Sequence, residues 1–253
     1  MQFEAIADTD IGISKTTNQD SLIIKHGKSD RGEILMAIIC DGMGGLAKGE
    51  LASAAVIREF AKWFEEELPF ELENLDMRVI GGKWSLHLKE LNRKILKYAQ
   101  SQGVSMGTTF TGVLFAEEKY VAVHVGDTRL YRIGSAVEQL TEDQTFVARE
   151  INRGNMTPEQ AKTDKRRNML LQCIGASEYM GPQILCGNIQ KGAYMLCSDG
   201  FRHEIREEEM YESLNPVNLI NKKAMHANVR YLIDQVKRRQ EKDNISVILI
   251  KAD

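Results

Sequence analysis

The chain has 253 residues, of which 43% are hydrophobic and 27% charged, a composition typical of a folded domain with a full apolar core. Its formal net charge of −3 argues against a protein that binds nucleic acid through a broad basic surface. The longest fully apolar run, Ile34–Cys40, is far shorter than the roughly 20 residues that span a bilayer. No basic segment leads into an apolar stretch near Met1, so we expect a cytoplasmic protein without a membrane segment.

The order of the predicted elements is not a regular alternation of strands and helices. Apolar alternation or short apolar runs predict nine strands: Phe3–Ala7, Ser21–Ile24, Ile34–Cys40, Thr109–Phe115, Tyr120–Val125, Leu130–Ile133, Ile184–Ile189, Tyr194–Cys197 and Ile245–Ile250. Helical periodicity predicts three helices: Ala47–Leu68, Trp84–Gln100 and Pro216–Arg239. Successive strands joined by a short turn indicate antiparallel hairpins. The predicted class is therefore α+β, in a single domain over residues 1–253.

The spacing of apolar residues also predicts the buried face of each helix. In the first helix this face comprises Leu51, Ala55, Val56, Phe60 and Phe64; the second includes Leu88, Leu91, Ile95 and Tyr98, and the third Ile220, Val229 and Leu232. Two of the four cysteines, Cys40 and Cys197, lie in apolar runs, and we expect them to be buried free thiols.

Aspartate residues recur at the ends of predicted strands. Five strands have one at or near an end: Asp20, Asp41, Asp127, Asp199 and Asp243. Turn chemistry explains any one of them, because Asp-Gly is a common turn pair. Several carboxylates that converge from different strands would repel one another unless cations lay between them. Because the histidines and cysteines lack zinc-ligand spacing, the set favours Mg²⁺ or Mn²⁺.

Two divalent ions a few ångströms apart are suited to the hydrolysis of phosphate esters. They lower the pKa of a bridging water and hold phosphoryl oxygens for in-line attack. In Asp41-Gly42 the glycine lets a backbone carbonyl approach an ion without interference from a Cβ atom. A positive group that orients the phosphate would complete such a site.

One segment fits a different class of protein. Gly42–Ala47 matches the G-x-G-x-x-A fingerprint of dinucleotide-binding folds, between a predicted strand and a predicted helix. However, Asp41 would place a negative charge beside the pyrophosphate. The segment Glu59–Glu67, where the acid that binds the ribose is expected, is predicted as helix rather than as the end of a strand. The metal-site hypothesis is therefore favoured.

Eight segments, in order along the chain, resemble the motifs of bacterial metal-dependent protein phosphatases, the type 2C serine/threonine phosphatases. They are Lys15–Asp20, Cys40–Gly45, Gly107–Thr109, Val125–Arg129, Leu140–Asp143, Cys173–Gly175, Cys197–Phe201 and Lys242–Ile245. The resemblance implies a four-layer sandwich, two antiparallel sheets with helix pairs outside. It implies hydrolysis of phosphoserine and phosphothreonine by a hydroxide that bridges two ions. Phosphorylated proteins are then the expected substrates, a serine/threonine kinase the expected partner, and a monomer the expected state.

The resemblance also assigns a metal site by motif. Asp41 would bridge two Mn²⁺ or Mg²⁺ ions, and the carbonyl of Gly42 would bind one of them. Asp199 and Asp243 would bind the other ion. Asp20 would hold metal-bound waters in the next layer.

Two further features follow from the same resemblance. Asp127 would help to hold a third, more weakly bound ion. Residues 145–170, with Arg153–Arg167 at their centre, would form a variable flap beside the site that influences substrate choice. The stretch Arg149–Asn168 contains six basic and three acidic residues, so it is either a solvated loop or a surface that attracts anionic phosphoproteins.

Three positions depart from the family pattern. Lys15 stands where the family has an arginine that binds the phosphate, and lysine lacks the planar fork of a guanidinium. Gln19 replaces the usual glutamate, which removes one negative charge near the ions. Met43 stands where many eukaryotic members have a histidine, so no general acid comes from that position. Lys15 and Gln19 leave a second hypothesis open, a phosphoprotein-binding signalling module with weak or no catalysis.

Overall fold

A computed structural model describes residues 1–43 and 48–253. In this part of the chain the strands are β1 (Phe3–Asp10), β2 (Ser21–Ser29), β3 (Gly32–Cys40), β4 (Phe110–Ala116), β5 (Lys119–Val125), β6 (Arg129–Ile133), β7 (Val137–Gln139), β8 (Gln183–Asn188), β9 (Gly192–Cys197) and β10 (Ile245–Ala252). They form two five-stranded sheets, in the orders β1-β10-β9-β6-β7 and β2-β3-β4-β5-β8. Every pairing in both sheets is antiparallel.

The helices are α1 (Gly49–Glu66), α2 (Leu68–Glu71), α3 (Met77–Gln102), α4 (Phe146–Asn152), α5 (Pro158–Thr163), α6 (Asp199–Arg202), α7 (Glu207–Leu214) and α8 (Lys222–Arg238), with 3₁₀ turns at Leu72–Asn74 and Pro216–Asn218. The longest, α3, begins where the side chain of Asp76 accepts hydrogen bonds from two backbone N–H groups and ends at the left-handed Gly103. Within the described ranges, none of these helices has the length and apolar composition needed to cross a membrane.

Three apolar clusters place the layers, and the central strand β3 belongs to two of them. Leu35, Ala37 and Ile39 face the other sheet, in a cluster that includes residues of β9 and β10. Met36 and Ile38, the alternate residues, pack in a cluster with α1 and α3. Because β3 is buried on both faces, its sequence is continuously apolar instead of alternating.

The second sheet has its own outer helix layer. Val229, Leu232 and Val236 of α8 pack in a third cluster with Met195 of β9 and Val247 of β10. The layers are therefore α1 and α3, the β3 sheet, the β10 sheet, and α7 with α8. The predicted four-layer α+β sandwich of two antiparallel sheets is confirmed.

The predicted elements differ from the structure mainly where elements are short. The strand β7 and the short helices α2, α4, α5, α6 and α7 were not predicted, because segments of this length show too little periodicity. The predicted helix Pro216–Arg239 is a 3₁₀ turn followed by α8. Ala47, the predicted start of the first helix, lies outside the described residues. Cys40 and Cys197 are buried free thiols, as predicted.

The predicted helix faces were partly wrong. Leu51 is 44% exposed, whereas the buried apolar residues of α1 are Ala52, Val56, Phe60 and Trp63. Tyr98 and Ile220, which were also predicted to be buried, are exposed. The face of α1 is set by its aromatic neighbours, because the rings of Phe60 and Trp63 both meet the ring of Trp84 in α3 edge-on.

The antiparallel sheets exclude the dinucleotide hypothesis. The dinucleotide fingerprint works in a parallel βαβ unit, whereas β3 pairs antiparallel with both β2 and β4. Residues 44–47 of the matching segment lie outside the described part of the chain.

Substitution of Phe60 tests the α1–α3 layer, and the chain offers a matched control in Phe70. Phe60 is fully buried and Phe70 is 73% exposed. We expect Phe60→Ala to lower the free energy of unfolding by about 3–5 kcal/mol, because the substitution leaves a cavity and removes the aromatic contacts of the Phe60 ring. Phe70→Ala is expected to change it by less than about 0.5 kcal/mol. Urea unfolding measures both; equal losses would contradict the assignment of the core.

Candidate metal centre

In the β3 sheet, two predicted site residues lie side by side at one end. Ser21 of β2 pairs with Cys40 of β3, so Asp20 precedes one strand where Asp41 follows its neighbour. Asp41 is fixed by its backbone: its N–H donates to Thr109 Oγ1 at 2.9 Å, and its carbonyl accepts from the N–H of Thr109 at 2.9 Å. The start of β4 therefore holds Asp41 in place.

The β10 sheet brings a second pair of carboxylates to its own strand ends. Val247 of β10 pairs with Cys197 of β9, so Asp243 stands just before one strand where Asp199 stands just after the other. Asp199 is also the first residue of the short helix α6. The sequence showed only that aspartates recur at strand ends. The pairing register explains the pattern, because it places the ends of paired strands, and so their aspartates, side by side.

Asn244 joins the ends of the two sheets. It is 3% exposed, and its Oδ1 accepts a hydrogen bond from the N–H of Gln19 at 2.9 Å. Its Nδ2 donates to the carbonyls of Ile11 and Thr17 at 2.9 and 3.3 Å. Asn244 therefore positions the segment that leads into β2 against the segment that leads into β10. Sequence reasoning gave it no role, although it lies next to Asp243.

Two glycines allow the close approach of these loops. A Cβ atom on Gly200 would lie 2.2 Å from the carbonyl oxygen of Asn244. A Cβ atom on Gly42 would lie 2.5 Å from the carbonyl oxygen of Gln19. Real Cβ atoms do not come this close to backbone atoms, so each glycine follows its aspartate for steric reasons.

Two of the carboxylates at this end lack hydrogen bonds that buried polar groups normally make. Both oxygens of Asp20 and Oδ1 of Asp199 are buried and have no partner among the described residues. Burial and then the charge of Asp199 raise the pKa of Asp20 to about 7. Burial, followed by the charges of Asp20 and Asp199, raises the pKa of Asp41 well above its usual value. Such a group of carboxylates is unfavourable without cations.

An oxygen-only donor set of this kind fits Mg²⁺ or Mn²⁺. Among the described residues, no three acidic, histidine or cysteine side chains lie in an arrangement that holds one ion by themselves. Mg²⁺ in proteins usually keeps several waters and uses only one or two carboxylates, so a backbone carbonyl and water can complete its ligands. The unpartnered oxygens of Asp20 and Asp199 are the groups that such ions and their waters would satisfy.

Lys15 lies within the same cluster. Its Nζ is 2.7 Å from Oδ1 of Asp243. Partial burial lowers the pKa of Lys15, but the hydrogen bond to Asp243 and the charges of Asp41 and Asp199 raise it by more, so the net shift is upward. The lysine therefore places a permanent positive charge beside the carboxylates.

The amide of Gln19 has a direct partner. Its Nε2 donates to Oε2 of Glu50 in α1 at 3.3 Å. The Gln19 carbonyl accepts from the N–H of Gly42 at 3.1 Å and from the hydroxyl of Ser53 at 2.7 Å. Gln19 is thus a structural junction between the β2 segment, the β3 end and α1, a role that sequence reasoning missed.

Asp127 lies at the same end of the sandwich but in different surroundings. It follows β5, and its Oδ2 is 3.3 Å from Nη2 of Arg202 in α6. Burial and then the charge of Asp199 raise the pKa of Asp127 to about 7, and the charge of Arg202 opposes this rise. Sequence reasoning identified Asp127 but missed Arg202, which carries no signal beyond its place after the Cys197–Phe201 motif.

The predicted flap contains α4 and α5 and adjoins this end. A cavity of about 740 Å³ is lined by flap residues, including Ala148, Lys162 and Arg167, and also by Arg202 and His203. His203 Nε2 lies 4.0 Å from Oδ2 of Asp199. The flap therefore forms one wall of a cavity whose opposite wall is next to the carboxylate cluster.

Comparison with known proteins places this geometry in a family. The family model of protein phosphatase 2C matches residues 13–241. The chain belongs to the protein phosphatase 2C family. The serine/threonine protein phosphatase PstP of Mycobacterium tuberculosis is 31% identical to it over 246 residues, 96% of this chain and 44% of that protein. The serine/threonine phosphatase stp of Listeria monocytogenes is 29% identical over 242 residues, 91% of this chain and 92% of that protein.

A solved phosphatase 2C structure has the same fold. It is the catalytic domain of PstP in complex with two manganese ions, which superposes with a TM-score of 0.79 at 27% identity. The match covers 98% of this chain and 97% of that one. The chain thus spans less than half of the mycobacterial protein but nearly all of its catalytic domain and of the Listeria enzyme.

Substitution of Gly200 tests whether the close approach of the loops positions the carboxylates. In Gly200→Ala the new Cβ would clash with the carbonyl of Asn244 and displace Asp199. We expect Mn²⁺ affinity, measured by calorimetric titration, to fall about tenfold or more, with a lower melting temperature. Gly82 in α3 has open space around it and is the matched control. Gly82→Ala is expected to leave Mn²⁺ affinity unchanged and to add up to about 1 kcal/mol of helix stability. Unchanged Mn²⁺ affinity in Gly200→Ala would contradict the steric argument.

Proposed function

We propose that the chain is a metal-dependent phosphoprotein phosphatase that hydrolyses phosphoserine and phosphothreonine. The observation that carries the proposal is the set of buried, unpartnered carboxylate oxygens of Asp20 and Asp199, at the end where the two sheets meet. Membership of the protein phosphatase 2C family and the two manganese ions in the PstP catalytic domain support the same reading.

In this proposal the core site takes two Mn²⁺ or Mg²⁺ ions. Asp41 and the carbonyl of Gly42 would hold one, Asp199 and Asp243 would hold the other, and Asp41 would bridge them. Asp20 would orient water bound in the next layer. Two such ions, when bound, supply the Lewis acidity that activates water and neutralises phosphoryl oxygens.

Lys15 would bind the phosphate. Its ammonium already lies 2.7 Å from Asp243, so it is within the cluster and carries a charge opposite to that of a phosphate. A lysine acts as a point charge without the two parallel hydrogen bonds of a guanidinium. It therefore contributes attraction and leaves the orientation of the phosphate to the rest of the site.

The flap would contribute to the choice of phosphoprotein. Lys162 and Arg167 line the cavity beside the site, are exposed, and form no ion pair with a described residue. Both are free to attract an acidic segment of a substrate. This fits the earlier expectation that residues 145–170 influence substrate choice.

Other features of the proposal rest on the sequence. An opposing serine/threonine kinase, a monomeric state and a cytoplasmic location stay predictions. A binding module without catalysis is less favoured, because the relatives are named as phosphatases and all five aspartates of the predicted site are present in the sequence.

Hydrolysis of a phosphothreonine peptide with Mn²⁺ tests the proposed activity. We expect turnover in the full chain, abolished by Asp41→Asn or Asp199→Asn, because each variant removes a charge that the ions require. Asp234→Asn, an exposed position on α8, is the matched control and should keep full activity. Peptide binding without turnover in any metal would favour the binding module; equal turnover in Asp41→Asn would overturn the assigned site.

Metal should also stabilise the fold. An ion that binds only the folded chain adds about 2.7 kcal/mol at one hundred times its Kd, which raises the melting temperature of a domain of this size by about 5 °C or more. We expect Asp41→Asn to lose this shift. Without metal it should melt no lower than the parent chain, since the substitution removes a repulsive charge. Calorimetric melting with and without Mn²⁺ measures both; a parent chain insensitive to Mn²⁺ would tell against the site.

Substitution of Lys15 tests the phosphate contact. Loss of a charged contact to phosphate predicts that Lys15→Ala raises KM for a phosphopeptide about tenfold or more, a change of about 1.4 kcal/mol in binding. Lys15→Arg keeps the charge and adds a second hydrogen bond, so its KM should equal that of the parent or be lower. Steady-state kinetics separate KM from kcat. If Lys15→Ala leaves KM unchanged, Lys15 serves only as the partner of Asp243.

A further inference from the structure

Asp127 adjoins a network of arginine and aspartate side chains that begins at Arg202. Nη2 of Arg202 lies 3.3 Å from Oδ2 of Asp127, and both Nε and Nη2 donate to the backbone carbonyl of Asp127 at 3.4 and 3.3 Å. The side chains of Arg202 and Asp127 are only 11% and 8% exposed. A buried guanidinium thus contacts both the carboxylate and the carbonyl of the residue that was predicted to hold a third ion.

The guanidinium is held there by a second carboxylate. Nη2 of Arg202 is also 3.5 Å from Oδ2 of Asp143. Asp143 is in turn bound by Arg129, through two hydrogen bonds of 2.7 Å each. Arg129 donates to the hydroxyl of Tyr131 at 2.7 Å. Arg202 therefore belongs to a hydrogen-bonded network in which Asp143 and Arg129 also take part.

The hydrogen bonds of Asp127 differ from those of Asp20 and Asp199 in the core site. Among the described residues, the buried carboxylate oxygens without a partner belong to Asp20 and Asp199, whereas Oδ2 of Asp127 accepts a hydrogen bond from Nη2 of Arg202. At Asp20 and Asp199 the positive charge must come from a bound cation. At Asp127 the protein supplies it through Arg202.

We propose that the guanidinium of Arg202 takes the place of a third cation beside Asp127, so that this chain binds two divalent ions and not three. This inference rests on the proposed two-ion site. The residues around Asp127 do not fit a third divalent ion, because such an ion would lie against a buried guanidinium of like charge. Displacing Arg202 would leave a buried arginine without one of its two acidic partners, which is itself unfavourable.

Counting bound Mn²⁺ in the full chain tests the proposal without reference to activity. Free Mn²⁺ is measured by electron paramagnetic resonance during a titration, and bound ions per chain follow from the difference. We expect the parent chain to saturate at two ions. We expect Asp127→Asn to saturate at two ions as well, with unchanged affinity, because the carboxylate is not a metal ligand in the proposal.

Removal of the guanidinium charge should create the third site. We expect Arg202→Gln to gain a third Mn²⁺, bound at least about tenfold more tightly than any third ion in the parent. The double variant Arg202→Gln with Asp127→Asn should lose it again. Arg202→Lys keeps the charge and should stay at two ions. Arg132→Gln is the matched control, since Arg132 of β6 pairs with Glu138 of β7 at the surface, away from Asp127.

The outcomes are distinct. A parent chain that binds three ions and loses one in Asp127→Asn overturns the inference, and this test does not depend on the Arg202 variants being folded. A folded Arg202→Gln variant, checked by circular dichroism, that still binds two ions also overturns it. Failure of the proposed function looks different, because the parent would then bind no Mn²⁺ or Asp41→Asn would bind as many ions as the parent.

Discussion

Repulsion among buried carboxylates is the constraint on which this end of the molecule depends. Asp20, Asp41 and Asp199 are brought together by strand pairings that are fixed elsewhere, deep in three apolar clusters. Charges gathered in this way tend to push the strand ends apart unless the structure prevents it. Backbone hydrogen bonds, the amide of Asn244 and the close approaches at two glycines hold the ends together. The apolar layers supply the rigidity, and the strand ends carry the charge.

Much of this arrangement could be predicted from the sequence, because the signals were local. Aspartate is a poor strand residue, so its recurrence beside buried strands was informative, and a strand such as β3 is apolar throughout because it is buried on both faces. Features that depend on tertiary approach could not be predicted. Asn244 acts through contacts with residues more than two hundred positions away, and Leu51 was misplaced because neighbouring rings decide which face of α1 is buried.

Of the two departures at Lys15 and Gln19, only Gln19 changes the charge, because lysine and arginine are both cationic. Gln19 removes a negative charge, and its amide donates to Glu50, whereas a glutamate there would face another carboxylate. Lys15 keeps a positive charge and pairs with Asp243. Both residues therefore reduce repulsion within the cluster. Neither departure removes a carboxylate from the predicted ligand set. They therefore change the residues around the ligands and leave the ligands themselves unchanged.

The proposed role of Arg202 divides the acidic end into two regions with different sources of positive charge. A guanidinium is charged at every physiological pH and is covalently part of the chain, so Asp127 keeps a positive neighbour whatever the metal concentration. A bound ion exchanges with solution and offers open positions to water or phosphate, which a guanidinium does not. Chemistry that needs such positions is therefore confined, in this proposal, to the two-ion core, with Lys15 as the nearby cation. The rigid network of Arg202, Asp143 and Arg129 then acts as a fixed wall between the core and the flap cavity.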